Sequence, residues 1–343
     1  MKGDRFLYSL LGCAVGDALG YQVEFMKWPE IKKSFGAQGV RGFADPEGIG
    51  LISDDTQMTL FTANGLRWAA SRILDRGIGD WIGSGIKPAY MRWLYTQGCR
   101  FEIDESFLKR QNFEQDDAFF IMDQKALFES RSPGATCITS LVYGTGRNDS
   151  KGCGANMRVA PIGLVFYFVP EIAYSVAADS ARLTHGHPTA AAAAGATAMI
   201  IAYCTDGYTL TYAVHRTLEY LKHQPGSKEV IGALLTATQL AESDVPRRKA
   251  IRQIGGGWTA EKALAIAVYA AQKEGDPAEA ILTAVNHSGD SDSTGAICGS
   301  IVGAVHGEHA LRPEWIEHVE LSEYIADTAD KLYQLSNRLQ DLR

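Results

Sequence analysis

Apolar positions recur at three- and four-residue spacing through most of the chain, the period of helices that turn one face to a core. Phe6, Leu7, Leu10, Leu11, Ala14, Val15 and Ala18 define such a face at the start. Ile200 with its alanine-rich approach, and then Ile231 to Ala241, read as helices with little β-branched content. The best delimited element runs from Thr259, a capping residue, through Ala263 to Val268 and on to Lys273 and Gly275. Asp276-Pro277-Ala278-Glu279 resembles a capping box with proline at the first helical position, and starts another short helix. From Ser322, the stripe Tyr324, Ile325, Thr328, Ala329, Leu332 and Leu335 predicts a last amphipathic helix. Alternating strands are missing; Leu164 to Val169 is the one serious candidate. The pattern predicts an all-α protein. No proline- or serine-rich linker divides it, so residues 1–343 read as one domain, with the more polar stretch Glu102 to Ser132 as a surface insertion.

Glycine placement sharpens this picture. Gly12, Gly16 and Gly20 are four apart, as are Gly295, Gly299, Gly303 and Gly307. A glycine inside a helix costs about 1 kcal/mol relative to alanine. Rows of them on one face, with Ile297, Ile301, Val302 and Val305 between, predict another helix backbone packed very closely.

Composition removes several classes. Hydrophobic residues make up 46% and charged residues 21%, which argues against intrinsic disorder. The net charge is −7 and no basic run stands out, so a grip on nucleic acid phosphates is not expected. Six cysteines at 13, 99, 137, 153, 204 and 298 form no CxxC pair, which suggests reduced thiols in a cytoplasmic protein rather than zinc or disulfides. Lys2 and Arg5 before an apolar stretch ending at Cys13 resemble a lipoprotein signal. That stretch is short, is broken by Tyr8 and Ser9, and leads directly into Gly16-Asp17, so it reads as a first core helix. Pro188 to Cys204 is mostly alanine and reads as a core helix, not a membrane span.

Two acidic clusters carry the candidate chemistry: Ser53-Asp54-Asp55-Thr56 and Ser288-Gly289-Asp290-Ser291-Asp292-Ser293-Thr294-Gly295, each leading into a helix. Taken singly, helix capping explains either one. Taken together, four carboxylates with adjacent hydroxyls and no histidine or cysteine form the oxygen-only set that suits Mg²⁺, Mn²⁺ or Ca²⁺. An EF-hand loop beginning at Asp290 fails, because its twelfth position is Ile301 rather than a bidentate Glu. Asp290-Ser291-Asp292 also matches a short motif of sugar-nucleotide transferases, but the doubly wound pattern that should accompany it is absent. Upstream, Glu24 lies seven residues beyond Asp17 and could reach the same site from a helix end. Gly152-Cys153-Gly154-Ala155-Asn156-Met157-Arg158 is a glycine-rich loop able to offer backbone N–H groups to phosphate. Thr184-His185-Gly186-His187-Pro188 lacks a third ligand that would make it a zinc site.

In this order the motifs resemble the ADP-ribosylglycohydrolase family, which includes the dinitrogenase-reductase-activating enzymes and the ADP-ribosyl-arginine hydrolases. The resemblance rests on Gly12 to Gly20 with Glu24, Ser53 to Thr56, Arg131-Ser132-Pro133-Gly134-Ala135-Thr136, Gly152 to Gly163, Thr184 to Pro188, Gly256-Gly257-Trp258-Thr259-Ala260-Glu261 and His287 to Gly295. It implies a compact all-α domain with a dinuclear cleft for two divalent cations, Mg²⁺ or Mn²⁺. The matching ligands are Ser53, Asp54, Asp55, Asp290, Asp292 and Ser293, with Asp17 in a supporting role. The loop Gly152, Cys153, Gly154, Ala155, Asn156 and Met157 would hold the diphosphate, and His185 would contact the ribose–phosphate region. Cys153 and Asn156 depart from the Asn and small residue usual there, which bears on the diphosphate fit and not on the metal centre.

The function so implied is hydrolysis of the glycosidic bond between ADP-ribose and a protein side chain, with Glu24 the candidate for moving a proton or positioning the water. The proline-glycine motif after Arg131 and the Asp-Ser-Asp-Ser-Thr ending most resemble the arginine-directed branch. The expected partner is an ADP-ribosylated protein, with no nucleic acid and no membrane. Other readings are a structural or binding relative, an immunity protein countering a cognate ADP-ribosyltransferase toxin (with Glu102 to Ser132 as the segment to plug its cleft), and a hydrolase of serine-linked, nucleic-acid-end or free ADP-ribose.

Overall fold

The computed structural model describes residues 1–342 apart from positions 46, 100–119 and 145, so the part of the polar insertion from 102 to 119 lies outside the described residues. Sixteen α-helices and no sheet occur among the described residues. In chain order the first four are α1 (Lys2–Tyr21), α2 (Trp28–Phe35), α3 (Asp54–Ala70) and α4 (Lys87–Thr96). The middle of the chain forms α5 (Ala135–Val142), α6 (Ala160–Val165), α7 (Pro170–Arg182), α8 (Pro188–Asp206), α9 (Leu210–Leu221) and α10 (Lys228–Glu242). The last six are α11 (Arg247–Ile254), α12 (Ala260–Lys273), α13 (Pro277–Val285), α14 (Ser291–His306), α15 (Pro313–His318) and α16 (Ser322–Asp341).

The centre of the fold is the antiparallel pair α1 and α14, and the glycine rows are why these two meet. A Cβ added to Gly12 would collide with the carbonyl of Gly299, one on Gly16 with that of Gly295, and one on Gly20 with Ser291 and Asp292. Gly303 meets the backbone of Tyr8 and Ser9 in the same way. Each step of four along one helix is matched by a step of four back along the other, so backbone touches backbone without an intervening layer of side chains. Gly307 departs from the expected row. It lies just past the end of α14 with φ 57°, a left-handed conformation suited to glycine, and its Cβ position has only Asp4 at ordinary contact distance.

Around this pair α12 and α13 cover α14, while α16 packs on α1 and α3. The stripe expected from Ser322 is the buried face of α16, and Asp276 caps α13 by accepting from the Ala278 amide at 2.9 Å. Thr259 stands at the start of α12, but its hydroxyl donates to Glu261 Oε1 instead of capping. Arg5 Nη1 donates to the carbonyls of Cys204 and Ala304, both at 2.6 Å, so one cation serves the last turns of α8 and α14. Helix α8 is long and apolar enough by composition to cross a membrane, yet it lies almost wholly buried within the protein against α7 and α6.

Two expectations are corrected. Leu164 to Val169 is not a strand: α6 ends at Val165, and Val169 N closes a turn on Phe166 O at 2.9 Å. A continuous, mostly buried apolar run fits either structure, and Pro161 in the first turn favours the helix. The end of the polar insertion is also more than surface. Short 3-10 turns at Ile121–Asp123 and Lys125–Phe128 bury Ile121 and Leu127, and Gln57 of α3 donates to the carbonyls of Ala126 and Glu129.

Candidate functional site

The site is built where the start of α3 faces the start of α14. Ser53 caps α3, its hydroxyl accepting from Asp55 N at 3.3 Å. Beneath it Asp17, fully buried in α1, accepts from the amides of Ser53 (3.0 Å) and Thr56 (3.1 Å) and from the Thr56 hydroxyl (2.5 Å). Asp17 thus positions the turn that presents Asp54 and Asp55. Asp54 Oδ2 accepts from Gly134 N at 3.0 Å, and Asp54 N donates to Arg131 O. That segment is held by the Arg131 guanidinium, paired with Glu320 at 2.5 Å and donating to Ile52 O at 3.0 Å.

On the opposite side Asp290 caps α14, accepting from Ser293 N at 3.3 Å, and Asp292 Oδ1 accepts from the same amide at 2.9 Å. The Cys153 thiol donates to Asp290 Oδ2 at 2.6 Å, and the Ser293 hydroxyl faces Met157 Sδ. Asp54, Asp55, Asp290 and Asp292 are all buried. Burial first, and then one another's charge, holds Asp54, Asp55 and Asp292 well above the usual carboxylate range. Asp55 feels Asp54, Asp17 and Asp290, while Asp292 feels Asp55, Asp290, Glu24 and Asp17. The two acidic segments from opposite ends of the chain therefore form one cluster.

Glu24 follows the end of α1 and stands at the edge of that cluster. Burial pushes its carboxyl up to about 7; the neighbouring Ser132 hydroxyl pulls it down and the charge of Asp290 raises it. Oxygens Oε2 of Glu24 and Oδ2 of Asp55 are buried and accept no hydrogen bond. Among the described residues no three acidic, histidine or cysteine side chains converge as a ready-made metal cage. The donor chemistry nevertheless fits a hard cation: buried carboxylate oxygens without partners, repelling one another, with serine hydroxyls beside them.

These groups make cation-free protein sensitive to pH. Glu24 and Asp17, raised to about 7 and about 6 from ordinary values of 4.5 and 3.8, prefer to be protonated in the folded state. Their stabilising contribution is complete below the unfolded values and is lost as pH rises through about 6 to 7. In EDTA, the melting temperature should fall between pH 5 and pH 8, less steeply for Glu24→Gln. A melting temperature that holds or rises over that interval would contradict this account.

The glycine loop and His185 do come together. Gly152 and Gly154 lie against the His185 ring, where a Cβ on Gly152 would be 3.2 Å from Nε2 and one on Gly154 3.3 Å from Cε1. His185 Nδ1 pairs with the Thr184 hydroxyl at 2.8 Å. Burial, followed by the charge of Arg158, lowers its pKa to about 3, so the ring is neutral. The loop is less open to phosphate than its composition suggests. The amides of Gly152, Cys153, Ala155, Asn156 and Met157 all bond within the protein, so from Gly152 to Met157 Gly154 alone keeps an uncommitted amide. The Asn156 side chain points into the scaffold, donating to Ala260 O at 3.0 Å.

Sequence reasoning missed three features. The amide of Gly134 serves Asp54, although the Arg131–Gly134 motif itself was visible. Phe25, next to Glu24, has φ 66°, uncommon for a bulky residue. Its ring stacks on Trp258 at 5.5 Å, and both rings are exposed. Only their aromatic character beside Glu24 and Gly257 could have hinted at the pair.

A family model described as ADP-ribosylglycohydrolase matches residues 2–341. The chain is 26% identical to the ADP-ribosyl-[dinitrogen reductase] glycohydrolase of Rhodospirillum rubrum, over 93% of this chain and 91% of that protein. It is 23% identical to the ADP-ribosylarginine hydrolase Tri1 of Pseudomonas putida, over 99% of this chain and 80% of that protein. In fold it is similar to a solved ADP-ribosylglycohydrolase-related protein complex, with a TM-score of 0.60 and 24% identity over 98% of this chain and 99% of that one.

Proposed function

The chain belongs to the ADP-ribosylglycohydrolase family, and on that premise we propose that it removes ADP-ribose from a modified protein side chain, arginine foremost, with the help of divalent cations. The observation that carries this reading is the meeting of Asp54, Asp55, Asp290 and Asp292 in one buried cluster with Glu24 at its edge. The names of the Rhodospirillum rubrum and Pseudomonas putida relatives, which act on ADP-ribosylated dinitrogen reductase and ADP-ribosylarginine, support the substrate class.

In this reading Ser53, Asp54, Asp55, Asp290, Asp292 and Ser293 hold two cations, Mg²⁺ or Mn²⁺. Bound there, the cations supply electrophilic polarisation of ribose hydroxyls and of water. Glu24 holds or moves the proton at its carboxylate; a group poised near neutrality can both accept one from water and return one to the leaving nitrogen. Asp17 acts at one remove by keeping the start of α3 in place. Neutral His185 and the amide of Gly154 offer hydrogen bonds, not charge, to the diphosphate side of the substrate.

The test is release of free ADP-ribose from arginine-linked and serine-linked protein substrates, in Mg²⁺, in Mn²⁺ and in EDTA. Cation-dependent release from the arginine-linked substrate is expected. Release from the serine-linked substrate alone would reassign the linkage, and release unaffected by EDTA would end the cation reading.

A further inference from the structure

A groove outside the acidic cluster runs along α11. One cavity of about 550 Å³ is lined by Arg248, Lys249 and Arg252 on that helix and reaches Gly256 and Ser288. A second, of about 640 Å³, shares Trp28, Pro246, Arg248 and Ile251 with the first and extends to Arg41. The groove ends one residue layer from the cluster, because Gly256 O accepts from Asp290 N at 2.8 Å.

Its charge is opposite to that of the protein as a whole. In a chain of net charge −7, the eight residues of α11 carry four cations and no acid. Arg247 is paired with Glu274, and Arg41 with Glu279. Arg248, Lys249 and Arg252 are exposed and form no ion pair among the described residues. Arg247, Arg248 and Lys249 also fill the first helical turn, where the backbone dipole favours acids, so the helix gains nothing from them locally. The Arg248 guanidinium lies 4.1 Å over the Trp28 ring and is thereby held in place. With Ile251 buried beneath, the half that reaches Gly256 offers an apolar floor and a cationic rim, while the half that reaches Arg41 is more polar and includes Glu279.

We propose that this groove docks an acidic segment of the ADP-ribosylated protein while the modified side chain occupies the neighbouring cluster. The proposal rests on the reading that the substrate is a modified protein. Arginine forks pair well with carboxylates, and two adjoining cavities, one apolar and one polar, suit an extended peptide with side chains. The groove would give the enzyme a preference among targets that its reaction centre alone does not make.

The test separates docking from catalysis. Fluorescein-labelled, unmodified ten-residue peptides, one rich in Asp and Glu and one with Asn and Gln in their places, are titrated with wild-type protein and with Arg248→Glu/Lys249→Glu/Arg252→Glu. The acidic peptide should bind about tenfold or more tightly than its neutral counterpart at low salt, and the triple variant should lose that preference. With an acidic-flanked arginine-ADP-ribosylated peptide, KM should rise about tenfold in the variant at unchanged kcat, while hydrolysis of free ADP-ribosylarginine stays the same. Equal binding of the two peptides, a preference that survives the triple change, or tighter binding of a single-stranded oligonucleotide of equal charge would overturn the proposal. If wild-type protein prefers the acidic peptide, and the variant does not, yet neither substrate releases ADP-ribose, the hydrolase reading fails and the groove's preference stands.

Discussion

An Asp292→Ala protein should release ADP-ribose at least roughly 10³-fold more slowly than wild type while melting no earlier in EDTA. Asp292 is buried among Asp55, Asp290 and Glu24, whose charges raise its carboxyl, so without a cation it is a source of repulsion. Removing it relieves that repulsion, and the core helices do not depend on it. Turnover should fall because a ligand is lost at the point where both helix starts converge. Glu24→Gln should separate from it: calorimetric titration with Mg²⁺ or Mn²⁺ should look nearly wild type, while turnover drops by about 10²–10⁴-fold. Full activity in Asp292→Ala would remove the cation mechanism, and lost cation binding in Glu24→Gln would move Glu24 from proton chemistry into the ligand set.

Gly299→Ala should be the most destabilising single methyl in the molecule, beyond the roughly 1–3 kcal/mol of ordinary overpacking. The new Cβ would fall on the carbonyl of Gly12, a backbone atom that cannot turn aside, so α1 and α14 must separate along their length. The glycine rows alone suggest a cost of the ordinary size; the directness of the backbone contact raises it. Activity should fall with stability, since α14 carries Asp292 and Ser293 in its first turn and α1 leads into Glu24. Gly232→Ala in α10 is the control. Nothing lies within 4 Å of its Cβ position, and helix propensity alone should raise stability by up to about 1 kcal/mol. Thermal unfolding of the two variants should show opposite signs; a neutral Gly299→Ala would mean that the helices are not in contact.

The elements that a local pattern dictates were legible in the sequence. The stripe of α16, the Asp276 cap with Pro277, and the glycine faces of α1 and α14 each follow from spacing within a few residues. The acidic helix starts could be named for the same reason. What spacing does not encode is the partner across the fold. The amide of Gly134 on Asp54, the thiol of Cys153 on Asp290 and the stacking of Phe25 on Trp258 join segments far apart in the chain. The glycine loop differs for another reason: Ala155, Asn156 and Met157 donate to carbonyls within the loop and Gly152 to the Ser150 hydroxyl, while only the Cys153 amide reaches across to Trp258 O. The cationic helix α11 carries no motif. Its role emerges only when Trp28 and Arg41 arrive from the other end of the chain.

The contact between α1 and α14 also limits how the molecule can move. Packed helices commonly adjust by sliding a fraction of a turn against each other as side chains change rotamer. Here carbonyls seat in the notches left by glycine every four residues, so intermediate positions clash and the next allowed register lies four residues away, about 6 Å. A shift of that size would carry Glu24 clear of Asp292. Shear is therefore closed to this pair, and any rearrangement around the acidic cluster falls to the segments beyond the helix ends, such as Phe25 and the turn that carries Trp258.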